Sequence, residues 1–182
     1  ALPISFRETI KLEADMFCAS PIDHWWTLLQ CRDVVVSRGS RDFHDRPAQS
    51  RHYRRVFDAN HLPDLYNALV YWRRSRVAQQ FFHLVRDIFR EWNHYRVLLK
   101  FSDDVPTTDV VYAMVAAIMG VHRVTLPTGM GPSIVHMKRY ILPTMNEDWT
   151  EELVWESTEP GLRIQTVAQQ GLVHYHIKDW RI

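Results

Sequence analysis

Glu13 and Asp15 stand two residues apart at the end of the apolar run "RETIKLEADMFC", Arg7 to Cys18. In a strand, residues two apart point to the same face, so these carboxylates converge on one side. Convergent oxygen donors suit a hard divalent cation such as Mg²⁺ or Mn²⁺, which in turn suits phosphate-bearing substrates. The plainer use of such a pair is two solvated acids at a sheet edge. Ten His residues offer imidazole nitrogens. His136, in "IVHMK", and His174, in "LVHYHIKDW", are the two weighed for the same cation. With His176 and Asp15 they would also make a transition-metal set, but no H-E-x-x-H signature accompanies them. A second kind of chemistry lies in the segment from Ser37 to Arg55. Its Arg38, Arg41, Arg46, Arg51, Arg54 and Arg55, interleaved with Phe43, His52 and Tyr53, could grip a polyanion such as nucleic acid by phosphate contacts and ring stacking. The alternative there is a solvated surface loop.

Several elements must position these groups. The run from Thr9 to Cys18 reads as one strand, closed by Ser20-Pro21. Asp23 then caps a short helix, "HWWTLLQC". Consecutive Val residues in "DVVVS" predict a strand buried on both faces. The segment 37–49 has the only linker-like composition. Asn67 to Ser75 reads as another strand. Val77, Phe81, Leu84, Val85, Ile88 and Trp92 recur every three or four residues and predict one long helix over 76–95 with that stripe in the core. Pro106 to Gly120 reads as a second helix, capped by Thr108 and stopped by Gly120. "SIVHMKRYI", "LRIQTV" and "LVHYHIKDW" read as short strands. Alternating strands and helices predict an α/β fold with a mixed sheet and flanking helices.

The totals bound the class. At 182 residues the chain suits a single domain over 1–182, and 46% hydrophobic with 24% charged residues is ordinary for a folded protein. A net charge of +1 gives no global reason to expect nucleic acid or a membrane as partner. No apolar run reaches the roughly 20 residues of a spanning helix, which makes a cytoplasmic protein the default expectation. Cys18 and Cys31 read as reduced thiols in or near a core. Trp25 and Trp26, as helix neighbours, point about 100° apart. One of them is therefore expected to cover a seam with another domain or subunit.

The run "PISFRETIKLEADMFCASPIDHWWTLLQCRDVVV" resembles the central segment of GT-A glycosyltransferases, especially the glycogenin-like branch. There an apolar strand ends in a D-x-D motif, followed by a small-residue turn, a short helix and another strand. Glu13-Ala14-Asp15 stands in the place of the motif. "LYNALVYWRRSRVAQQFFHLVRDIF" looks like the family's "N-[AS]-G-hydrophobic" strand running into a long helix, with Asn67 and Ala68 in the matching positions. "TTDVVYAMVA" looks like its "D-Q" helix, with Asp109 as the acid. "VHYHIKDW" is similar to its closing "H-[FY]-x-G-x-x-K-P-W" element, with His174, Lys178 and Trp180 as the matches. This chain departs from the family at Glu13, Leu69, Val110, Ile177 and Asp179, and its His-to-Lys spacing is shorter.

The resemblance covers nearly all of this chain but only the C-terminal part of such a domain. It implies a nucleotide-diphospho-sugar transferase-like fold without its first nucleotide-binding units, which would lie in a preceding part of a longer protein or on a partner subunit. It implies a metal-dependent transfer of sugar from a nucleotide-sugar donor to an acceptor that the sequence does not name. Asp15 and His174, with His136 as rival, would bind Mn²⁺ or Mg²⁺, and Glu13 would support them. Asn67 and Lys178 would contact the donor, and Asp109 the sugar or acceptor hydroxyl. Asp15, Asp109 and one imidazole should then lie within one cation's reach. The competing class is a non-enzymatic interaction or structural module whose Arg-rich segment binds protein or nucleic acid.

Overall fold

Where the chain runs branched and aromatic residues together, no polar face remains, and the run must lie between two apolar layers. That requirement organises the structure, a computed structural model that describes residues 6–50, 54–137, 141–142, 155–158 and 161–175. The first part comprises β1 (Glu8–Leu12), β2 (Met16–Cys18), α1 (Trp25–Leu29), β3 (Val34–Arg38), β4 (Ser40–Arg41), β5 (Pro47–Ser50) and α2 (Arg54–Ala59). Then come β6 (Leu65–Arg73), α3 (Arg76–Arg90), α4 (Trp92–Leu99), α5 (Thr108–Met119) and α6 (Val121–Val124). Short strands follow: β7 (Ile134–Met137), β8 (Ile141–Leu142), β9 (Trp155–Thr158), β10 (Gly161–Ile164), β11 (Val167–Ala168) and β12 (Leu172–Tyr175).

These strands form an antiparallel sheet β1-β6-β3, a mixed sheet β2-β12-β7-β4-β5-β8 and a small sheet β11-β10-β9. In the mixed sheet β12 and β4 each run parallel to β7, and β2 runs antiparallel to β12. The protein is thus α/β, with mixed sheets and flanking helices. Alternation along β3 and β6 sorts the core into layers. Val34, Val36 and Val70 face Phe81, Ile88, Val110 and Val111 of α3 and α5. Val35, Leu69 and Tyr71 face the other way, onto Ile134 and Leu172 of the mixed sheet. Behind that sheet Val135 and Val173 meet Phe43, Leu162 and Ile164.

Several elements differ from the sequence expectation. The run Thr9–Cys18 is two strands in different sheets. The chain leaves the first sheet at Glu13 and enters the second at Met16, so the two acids lie at a change of sheet rather than on one strand face. This placement lets both carboxylates reach solvent, which a continuous buried strand would deny them. The long helix is broken at Glu91 (φ −97°, ψ 22°). The break coincides with the insertion of Trp92 into the core, where its indole N–H donates to the Asp103 carbonyl at 2.9 Å. Helix α1 begins at His24 without a side-chain cap from Asp23, whereas Thr107, one residue before the expected Thr108, caps α5. Gly120 stops α5 as expected, at φ 96°.

The linker-like segment is a β4–β5 hairpin. Buried Asp42 holds its turn by accepting from the backbone N–H of His44 and Arg46, each at 2.9 Å. Cys18 and Cys31 are exposed and free, not core thiols. Trp25 is buried while Trp26 is exposed, as their angular separation requires. No helix among the described residues is long and apolar enough to cross a membrane.

Candidate metal-binding site

The start of β6 lies between the ends of β1 and β3, because both flanking strands run antiparallel to it. Glu13 extends the β1 ladder, its N–H donating to the Ala68 carbonyl at 3.3 Å. Two residues later the chain pairs with β12, where the Tyr175 N–H donates to the Asp15 carbonyl at 3.1 Å. Residue 174 therefore faces the two acids. Nε2 of His174 lies 3.0 Å from Asp15 Oδ1 and 3.4 Å from Glu13 Oε2. Donor atoms from Glu13, Asp15 and His174 all lie within 4.8 Å of one another. The imidazole is buried, whereas Glu13 and Asp15 keep partial access to solvent.

The other nitrogen of His174, Nδ1, shares a hydrogen bond with the Tyr66 hydroxyl, which turns Nε2 toward the acids. The two rings stack at 5.7 Å between centroids. His136, level with His174 in the β7–β12 register, sets its ring edge-on to Tyr66 and to His174, at 4.6 and 5.3 Å. Of the two His residues weighed from the sequence, His174 is the one grouped with the carboxylates.

Asn67 and Asp109 meet beside this group. Asp109, in the first turn of α5, accepts the Asn67 backbone N–H on Oδ1 at 2.6 Å, and its charge suits that helix end. The Asn67 amide donates to Thr108 Oγ1 at 2.7 Å and to Glu13 Oε1 at 3.4 Å. The Thr108 hydroxyl is available for this because Thr107 does the capping. Asp109 lies outside the three-residue group, so the expected convergence of Asp109 with Asp15 on one cation is not what the structure shows. It connects to the group through Asn67 instead. Lys178, Trp180 and His176 lie outside the described residues.

Lys11 was not anticipated from the sequence, although strand parity puts it on the same side of β1 as Glu13. Its ammonium donates to the Asn67 carbonyl at 3.1 Å. Burial lowers its pKa, against the opposing pull of Glu13, Asp109 and Asp15. No family model matches the chain. Searches of curated proteins and of solved structures likewise give no match. The chemical reading therefore rests on the geometry and on the resemblance of the motifs.

Tyr66 gives a test of this electrostatic setting. Burial first, then the charges of Glu13, Asp109 and Asp15, raise its pKa far above the ordinary value of 10.0. An unfolded chain ionises this phenol near pH 10 while the native chain keeps its proton, so the native state binds more protons there and stability falls as pH rises. Tyr66→Phe is expected to make that fall shallower by up to about 1.4 kcal/mol per pH unit above pH 10. Urea unfolding at pH 9 and pH 11 reads the difference. An identical slope in the variant would mean that the phenol ionises freely in the native state.

Proposed function

We propose that this chain is a divalent-cation-dependent glycosyltransferase of GT-A-like architecture, moving a sugar from a nucleotide-sugar donor to an acceptor. One observation carries the reading: two acids near one end of the described chain and an imidazole near the other place three donor atoms within 4.8 Å of one another. A mixed oxygen and nitrogen set with partial solvent access suits Mn²⁺, and Mg²⁺ by its carboxylates. A cation held by Glu13, Asp15 and His174 would supply compensation for the negative charge that gathers on a departing diphosphate.

The remaining groups have roles consistent with that chemistry. Lys11 sets its amine beside the same acids, donating to the Asn67 carbonyl. Asn67 Oδ1 is buried without a hydrogen-bond partner among the described residues and offers an acceptor to a sugar hydroxyl. Asp109 holds the Asn67 backbone in place, which makes it a positioning residue in this reading.

The Arg-rich segment lends less to a binding-module reading than its composition implies. Arg41 pairs with Asp45 at 3.4 Å and Arg46 with Asp42 at 2.9 Å, so two of its charges are compensated within the hairpin. The direct test of the transferase reading is calorimetric titration with Mn²⁺, followed by UDP with and without Mn²⁺. UDP binding that requires the metal is the expected result. UDP binding indifferent to the metal would overturn the cation's proposed role.

A further inference from the structure

A cavity of about 590 Å³ lies beside β3 and α6, lined by Arg32, Arg38, His61 and His122 over an apolar floor that includes Pro63 and Leu126. No carboxylate is among its lining residues. Several other described arginines are paired with acids, among them Arg41 with Asp45, Arg46 with Asp42, Arg73 with Asp33 and Arg96 with Asp104. Arg32 and Arg38 pair with no acid among the described residues.

Arg32 is nevertheless held in place. Its Nε donates to the His122 carbonyl and its Nη1 to the Cys31 carbonyl, both at 3.2 Å. Neutral acceptors fix its direction without compensating its charge, and its remaining N–H groups stay available to a ligand. The groove is lined by guanidiniums from either side of β3, Arg32 before it and Arg38 at its end, and by imidazoles from the loop after α2 and from α6. Planar guanidinium donors without an acid partner, with imidazole N–H groups beside them, suit a phosphoryl group.

Its position bears on substrate. Arg38 ends β3 and Glu13 follows β1, the two strands that flank the start of β6, so the Arg38 end of the groove lies at the same end of the sheet as the acid cluster. Two strand spacings, about 10 Å, separate them across the sheet. We infer that this groove binds a phosphoryl group carried by the acceptor, an inference that rests on the transferase reading for the word acceptor but not for the anion.

The test is calorimetry with inorganic pyrophosphate in low salt without divalent cation. Wild type binds, Arg38→Ala weakens binding about tenfold or more, and His122→Gln weakens it less. The Arg38 side chain is exposed and makes no hydrogen bond among the described residues, and Ala keeps the backbone pairing with β6, so the replacement should leave the thermal melt unchanged. Asp15→Ala should bind pyrophosphate at least as tightly as wild type. Absence of binding, indifference to Arg38→Ala, or loss in Asp15→Ala would each overturn the groove. Displacement of pyrophosphate by UDP with Mn²⁺ would assign it to the donor and overturn the acceptor role. Protein that takes pyrophosphate but not Mn²⁺ would remove the transferase reading and leave the anion groove standing.

Discussion

Asp15→Ala is expected to weaken Mn²⁺ binding by roughly a hundredfold, since charge count and ligand number govern affinity at oxygen-rich sites. The expectation follows from the distances: Asp15 Oδ1 is 3.0 Å from the nitrogen that would share the cation, closer than Glu13 Oε2 at 3.4 Å. Without the cation the same substitution should cost little stability, because Asp15 is half-exposed and its removal relieves repulsion with Glu13. Free Mn²⁺ measured by electron paramagnetic resonance gives the affinity, and a thermal melt in chelator gives the stability. Asp87→Ala is the control, an exposed helical acid whose partner is Arg86. Equal Mn²⁺ affinity in wild type and Asp15→Ala would sink the assignment of the cluster as a metal site.

Gly171→Ala should damage the same site from a distance. Gly171 has φ 72°, and a Cβ built there would lie 2.4 Å from the Ser133 carbonyl oxygen. Neither partner can yield cheaply, because the Leu172 N–H bonds to that carbonyl at 3.1 Å and the Gly171 N–H to Ser20 Oγ at 2.9 Å. Left-handed strain of about 1–2 kcal/mol and the backbone clash together are expected to cost about 3 kcal/mol, lowering Tm by roughly 6–12 °C. The strand that follows carries His174, so Mn²⁺ affinity should fall as well. Gly129→Ala separates the two causes, since Gly129 shares a positive φ of 83° but has nothing within 4 Å of the added carbon. Comparable melts for both variants would show that the close approach to Ser133 is not a constraint.

What could be read from the sequence was what buries itself periodically. The Val run of β3, the aromatic strand β6 and the stripes of α3 and α5 lie close to where local pattern puts them, because each shows apolar residues to a layer on a fixed repeat. Glu13, Asp15, Asn67, Asp109 and His174 could be singled out by type and order, and the fold brings them together where the chain changes sheet, beside the start of α5. The parity argument that put the acids on a strand face failed, because it assumes that a strand stays in its sheet. The switch at Ala14 depends on pairing with β12, which only distant residues supply. Lys11 and Tyr66 went unnoticed because a charged and an aromatic residue in strands read as edge and core. Their roles arise from neighbours many residues away, Tyr66 with His174 and Lys11 with Asn67. The break at Glu91 is invisible to a helical repeat that continues through it.

Placing β12 between β2 and β7 sets an order of events as the chain is made. The carboxylates at residues 13 and 15 emerge early, yet the imidazole that completes their group belongs to the last described strand. Until that strand is inserted, β2 lacks its hydrogen-bonded neighbour, and the two acids stand without the imidazole that closes their group. Closing contacts between such distant segments is the slow part of folding. A cation that fastens them would act on a nascent chain as a report of completion, retained only once β12 has docked.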